Sequence, residues 1–319
     1  MIELKNISKS FDKTNAVKNI SFSVLKDETL VLLGTSGCGK TTTLKMINRL
    51  IKADSGDIFI NGENIKKINE EKLRLGIGYV LQNHGLLPHY TIEQNIAIVP
   101  NLLRWGKDKT DSRMEEMLHK LHLPLNLKDK YPNQLSGGQQ QRVGLARALM
   151  AKPPILLMDE PFGALDPITK ESIKKEFLTL DELQNKAIVM VTHDIQEAFE
   201  LGDRICLMSN GEMIQIGKPT ELLEKPRNGL VKDFFRGQKL QLSLKAIEVK
   251  NLSPFLEPSA DRYDDAISID HQSVWDILEI LAEKPFCRLE INGELKKATN
   301  GSLMEAIEKF KATKNGTTE

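Results

Sequence analysis

The chain has 319 residues, 40% of them apolar, enough for one large domain with its own core and a smaller second one. Its 44 Lys and Arg balance 44 Asp and Glu, which excludes the overall basic footprint of a nucleic-acid binder, so any anion must be held by a local device. Cys38, Cys206 and Cys287 lack metal-ligand spacing and no basic-then-apolar leader is present, pointing to a reducing cytosol, and no apolar run approaches the roughly 20 residues of a membrane span.

Residues 1 to about 235 alternate short β-branched runs with longer helical patterns, as in an α/β domain with a largely parallel sheet. Leu30-Val31-Leu32-Leu33 is a continuous apolar run, the pattern of a strand buried on both faces. Directly after it, Gly34-Thr35-Ser36-Gly37-Cys38-Gly39-Lys40-Thr41 matches G-x-x-x-x-G-K-[ST] and leads into a helical run from Thr42 to Leu50. Glycines let backbone N–H groups close around phosphate oxygens, and the helix amino terminus adds partial positive charge. Lys40 is placed to bridge the β- and γ-phosphates and Thr41 to hold Mg²⁺ through its hydroxyl. Cys38 reads as a small tolerated residue of this loop, since no base is specified beside it.

Residues from about 92 to 150 have a helical pattern that predicts an insertion beside the sheet, with Met114, Met117, Leu118 and Leu121 as core packing. Within it, Leu135-Ser136-Gly137-Gly138-Gln139 precedes a helical run. That is a second helix amino terminus with close backbone approach, suited either to an anion or to a plain helix cap. Two loops of this kind can share one γ-phosphate only if they face each other, which two chains placed head to tail would achieve.

Ile155-Leu156-Leu157-Met158 and Ala187-Ile188-Val189-Met190-Val191 are two further buried-strand runs. The first ends in Asp159-Glu160, where Asp159 is placed to bind Mg²⁺ through water and Glu160 to orient and deprotonate an attacking water. The second leads to His193, in reach of a γ-phosphate or that water. Because ligands bind outside the carboxyl ends of parallel strands, these groups are expected to converge with the 34–41 loop.

The motif set resembles that of the ATP-binding subunits of ATP-binding cassette transporters over residues 1 to about 235. The 34–41 loop is similar to their Walker A, residues 155–160 to Walker B with its catalytic glutamate, and residues 135–139 to the family signature. Ala164-Leu165-Asp166 resembles the D-loop, and His193 resembles the switch histidine. The resemblance implies a P-loop NTPase fold of the ABC type with a helical subdomain. It further implies ATP contacts from Phe11, stacking on adenine, and from Gly34, Ser36, Gly37, Cys38, Gly39, Lys40, Thr41, Thr42 and Gln82. Ser136, Gly137, Gly138, Gln139 and Asp166 would act in trans from the second chain of a homodimer. Mg²⁺ would be held by Thr41, Gln82 and Asp159, and catalysis carried by Glu160, His193 and Lys40.

Finer wording, such as Lys45-Met46-Ile47-Asn48-Arg49-Leu50 and Thr91-Ile92-Glu93-Gln94-Asn95-Ile96, resembles importers of osmoprotectant quaternary amines such as glycine betaine, carnitine or choline. The implied partners are transmembrane permease subunits and, indirectly, a substrate-binding protein, with no nucleic acid. The implied location is peripheral, at the cytoplasmic face of the inner (plasma) membrane. Importers of another small solute, and soluble cassette ATPases acting on nucleic acid or ribosomes, are the competing readings.

Pro254 and Pro258 argue against a long helix over residues 236–262, which read as a linker or irregular bridge. Beyond it, Ile267 and Ile269 alternate as a strand, Val274, Ile277, Leu278 and Leu281 fit one helix face, and Cys287, Leu289 and Ile291 alternate again. Asn292-Gly293 signals a tight turn, and Leu303, Ile307 and Phe310 mark a last helix. This β-α-β-β-α pattern over residues 263–312 resembles one CBS module, an α+β appendage that would serve as a sensor or as packing, followed by a polar tail at 313–319.

Overall fold

The computed structural model describes residues 1–82, 85–259, 266–269 and 272–315. Parts of the expected linker (260–262), of the start of the appendage (263–265) and of the tail (316–319) lie outside the described residues. The chain divides into two compact units, Met1–Leu222 and Leu223–Glu319, whereas the sequence pattern sets the boundary near 235. No helix among the described residues is long and apolar enough to cross a membrane.

The first unit begins with β1 (Ile2–Phe11), β2 (Thr14–Val24), β3 (Glu28–Leu33), α1 (Lys40–Ile47), β4 (Ser55–Ile60), β5 (Glu63–Asn64), α2 (Glu70–Leu75) and β6 (Ile77–Val80). It continues with α3 (Ile92–Leu102), α4 (Lys107–Lys120), α5 (Gly137–Leu149), β7 (Ile155–Asp159), α6 (Pro167–Leu178), β8 (Ala187–Thr192), α7 (Ile195–Leu201), β9 (Arg204–Ser209) and β10 (Glu212–Gly217). One sheet has the order β10-β9-β3-β8-β7-β6 and is parallel except for the β9/β10 hairpin. Its central strands β7 and β8 are buried at every position, which is why they read as unbroken apolar runs.

A second sheet, β2-β1-β4-β5, is antiparallel throughout. The first helix stops at Ile47 rather than Leu50, because Asn48 closes it and Arg49 turns left-handed with φ of 55°. The Arg49 guanidinium then donates to the carbonyls of Ile65 and Ile68 at 2.9 and 2.7 Å.

In the helical insertion, Met114, Met117, Leu118 and Leu121 are all buried, as their spacing requires. The insertion is anchored by Arg113 on α4. Its guanidinium donates to both carboxylate oxygens of Glu182, at 2.9 and 2.8 Å, and to the carbonyls of Leu149 and Met150 at the end of α5. Lys120 Nζ lies 2.8 Å from the same carboxylate.

After α8 (Pro219–Glu224), the second unit holds α9 (Gly229–Phe235), α10 (Lys239–Lys245), β11 (Glu257–Pro258), β12 (Ile267–Ser268), α11 (Val274–Glu283), β13 (Cys287–Ile291), β14 (Glu294–Ala298) and α12 (Asn300–Asn315). Its sheet order is β11-β14-β13-β12, with β12 and β13 parallel. Asn292 and Gly293 take φ of 52° and 80°, the pair of left-handed residues that closes a two-residue hairpin. Residues 236–259 are more built than a linker and closer to the irregular bridge also expected of them. They form α10, a 3₁₀ turn over Val249–Phe255 with Pro254 inside it, and β11. Their Leu244, Val249, Leu252 and Leu256 join Val274, Leu289 and Leu303 in one core. Prolines exclude a long helix but not a short turn, where one missing N–H is easily tolerated.

Candidate functional site

The 34–41 loop leaves the end of β3 between two other backbones. A Cβ at Gly34 would stand 2.2 Å from the carbonyl oxygen of Met208, and one at Gly39, whose φ is +101°, 2.3 Å from that of Ala16. Both positions therefore require glycine. The Gly211 N–H donates to the Cys38 carbonyl at 3.2 Å, clamping the underside. Thr35, Ser36 and Gly37 are exposed, while Cys38 and Lys40 are buried. Lys40 Nζ donates to the carbonyls of Gly34 and Thr35 at 2.7 and 2.9 Å and lies 3.8 Å from Cys38 Sγ. Its ammonium is thus held within the loop's curl.

At the end of β7, one strand beyond β8 from β3, Thr41 Oγ1 donates to Asp159 Oδ1 at 2.7 Å. Burial pushes the Asp159 carboxyl up, and the Thr41 bond with the Lys45 and Lys40 charges offsets this only partly. Glu160 adopts φ of 45°, fixed by its N–H to the Val191 carbonyl at 2.9 Å and by the Gly163 N–H to its own carbonyl at 3.1 Å. Phe162 pins this turn: it is fully buried, with its ring edge-on to Phe177 at 6.0 Å. The Glu160 carboxylate accepts from Gln82 Nε2 at 3.0 Å, and His193 Nδ1 lies 3.2 Å from the same oxygen. Gln82, Glu160 and His193 therefore meet at one atom, although 78 residues part the first two. Phe11 ends β1 with 45% of its surface exposed and Lys9 Nζ 5.3 Å from the ring centroid.

Residues 136–139 pack against the start of α6. A Cβ at Gly138 would meet Thr169 Cγ2 at 2.6 Å, and one at Gly137 would meet Leu165 Cδ2 at 3.9 Å. Ser136 caps α5 in a reciprocal box with Gln139, each side chain accepting from the other's N–H, at 3.3 and 3.0 Å. Asp166 caps α6 by accepting from the Thr169 N–H at 3.0 Å, and hydrogen bonding to Thr169 holds its carboxyl below the usual range. Loss of the hydroxyl in Ser136→Ala is expected to lower stability by about 1 kcal/mol, a drop of about 2–4 °C in Tm. An unchanged melting temperature would contradict the cap.

Lys170, Asp194 and Glu197 lie beside the His193 turn. No motif singles them out, and the only local signal is Asp194 ahead of a helical run, where its side chain caps α7.

The family described as ABC transporter matches residues 17–163. The chain is 49% identical over 249 residues to the glycine betaine/carnitine/choline transport ATP-binding protein OpuCA of Bacillus subtilis (strain 168), covering 78% of this chain and 66% of that protein. It is 42% identical over 284 residues to the glycine betaine uptake system ATP-binding protein YehX of Escherichia coli (strain K12), covering 89% of this chain and 91% of that one. Among solved structures, it is similar to the dimeric post-hydrolysis state of the ATP-binding cassette MJ0796 bound to ADP and Pi, with a TM-score of 0.62 and 34% identity, covering 68% of this chain and 98% of that one.

Proposed function

Because this chain belongs to the family of ATP-binding subunits of ABC transporters, we propose that it hydrolyses ATP to power import of a quaternary amine such as glycine betaine, carnitine or choline. The observation that carries hydrolysis is the meeting of Gln82 and His193 on one Glu160 oxygen, at 3.0 and 3.2 Å, beside the Thr41–Asp159 pair. Glu160 orients the attacking water and takes its proton, Gln82 and His193 hold the carboxylate in place, and Lys40 with the loop amides binds the phosphates. Phe11 offers its ring to the adenine.

Thr41 Oγ1, the Asp159 carboxylate and the side-chain oxygen of Gln82 are hard oxygen donors that fit Mg²⁺. When bound, Mg²⁺ neutralises charge on the β- and γ-phosphate oxygens. Residues 136–139 and Asp166, at the amino termini of α5 and α6, serve best in a second copy, completing its partner's site in a head-to-tail homodimer. The dimeric cassette bound to ADP and Pi supports a dimer as such. The pair would act peripherally at the cytoplasmic face of the membrane on permease subunits, which in turn receive solute from a binding protein. The second unit is proposed as a CBS-like accessory module that tunes the rate.

The solute class is supported by the relatives that carry betaine, carnitine or choline names. Restoring this chain with its permease to cells lacking betaine uptake should restore accumulation of radiolabelled glycine betaine, carnitine or choline. Failure with all three, while ATP hydrolysis persists, would reject the solute class. Running the same uptake across external salt tests the module, and a rate indifferent to salt would remove a sensing role.

A further inference from the structure

His193 stands on a two-residue connection between β8, ending at Thr192, and α7, beginning at Ile195. Its side chain is 56% exposed, so little packing holds it against Glu160. The bracing comes from its two sequence neighbours. The Asp194 N–H donates to Thr192 Oγ1 at 3.0 Å, and Thr192 Oγ1 donates in turn to the buried Glu197 carboxylate. One Asp194 oxygen accepts from the N–H groups of Gln196 and Glu197 at 2.8 and 3.3 Å.

Both carboxylates keep a second oxygen, and both turn it to one ammonium. Lys170 Nζ lies 2.6 Å from Asp194 Oδ2 and 2.6 Å from Glu197 Oε1. Lys170 belongs to the first turn of α6, where its N–H donates to the Asp166 carbonyl at 2.9 Å. Burial opposes its charge, but the bonds to Asp194 and Glu197 more than offset this and raise its pKa above the ordinary value. A carboxylate only 2% exposed, as Glu197 is, is costly to bury without a hydrogen-bonded partner.

From this closed network we infer that Lys170 is a positioning residue for hydrolysis, tying Asp194 and Glu197 on one side of the His193 turn to α6 so that the imidazole stays on Glu160. The inference rests on the reading of Glu160 and His193 given above. It adds a mechanical link, because Thr169, next to Lys170, is the residue against which Gly138 packs. The segment proposed to serve the partner's nucleotide and the histidine proposed to serve the chain's own are thereby held by successive residues of one helix.

Steady-state hydrolysis by the full-length chain tests this. Lys170→Met should lower kcat by about tenfold or more while KM for ATP stays within about twofold, and Lys170→Arg should recover most of the loss. In a His193→Ala background the same change should have no further effect, because both act through one imidazole. Asp194→Asn keeps the helix cap but breaks the charge pair, and should give the same kcat-selective loss if Lys170→Met does not fold. Additive losses in the double variant, or a loss confined to KM, would overturn the inference. If the wild-type chain binds ATP but hydrolyses none, the hydrolysis reading falls separately. The tie is then judged by the NMR signals of the His193 imidazole, where a shift or broadening in Lys170→Met supports it and an unchanged spectrum overturns it.

Discussion

Glu160→Gln is expected to reduce kcat by about a hundredfold to ten-thousandfold, the range for loss of a general base, while ATP remains bound. Glutamine keeps the shape of the side chain and an acceptor for the Gln82 amide, now 3.0 Å away, but has no carboxylate to take a proton. On the proposed reading the phosphates are held elsewhere, by the 34–41 loop with Lys40 at its centre, so affinity should persist. Unable to turn over, two copies should stay closed around two ATP molecules. Single-turnover phosphate release measures the chemical step, and size-exclusion chromatography with ATP measures the trapped dimer. Turnover at the wild-type rate would remove the role given to Glu160, and loss of ATP binding would show that the carboxylate acts in the ground state.

The second large effect concerns stability. Arg113→Ala leaves the Glu182 carboxylate buried without its two-pronged partner and frees the carbonyls at the end of α5, an expected loss of about 3 kcal/mol. Burial opposes ionisation of Glu182, yet hydrogen bonds from Arg113 and Lys120 hold its carboxyl down at about 2, against 4.5 for an ordinary glutamate. A folded-state value below the unfolded one means that the stabilisation is complete above about 4.5 and is lost as pH falls toward 2. Urea denaturation of both proteins should therefore show the widest gap at neutral pH and a narrower one in acid. The part due to the Leu149 and Met150 carbonyl bonds does not titrate and should remain. A gap indifferent to pH would assign the whole effect to packing and those carbonyls.

How far the chain can be read in advance depends on whether the controlling forces are local. The strands β3, β7 and β8 are unbroken apolar runs because both faces are buried, and each leads into the polar residues proposed above to carry the chemistry. The 34–41 loop is legible because close backbone approach at Gly34 and Gly39 admits no side chain. The antiparallel sheet was harder to see. Its first two strands pair with register shifts between Leu4 and Ile7 and between Ile7 and Lys9, which break the two-residue alternation that would announce them. Asn6 and Asn19 take left-handed backbone there, at φ of 52° and 49°.

The ion pairs are not legible at all. Arg113 and Glu182 stand 69 residues apart, and Lys170 and Asp194 stand 24 apart. Isolated charges in a sequence look alike whether they end on a surface or in a pair. Residues 236–259 misled for another reason. Their prolines signal irregular backbone correctly, but irregular backbone can still bury leucines, as Leu252 and Leu256 do.

Glu160 is a branched consequence of the same economy of space: a non-glycine residue held at φ of 45°, in a region that costs a side chain on the order of 1 kcal/mol. Glycine would relieve that strain, so selection for heat resistance alone would tend to erase the acid at this position. A stabilised form of this protein obtained by blind screening should accordingly be checked for turnover first, with position 160 held constant in the library.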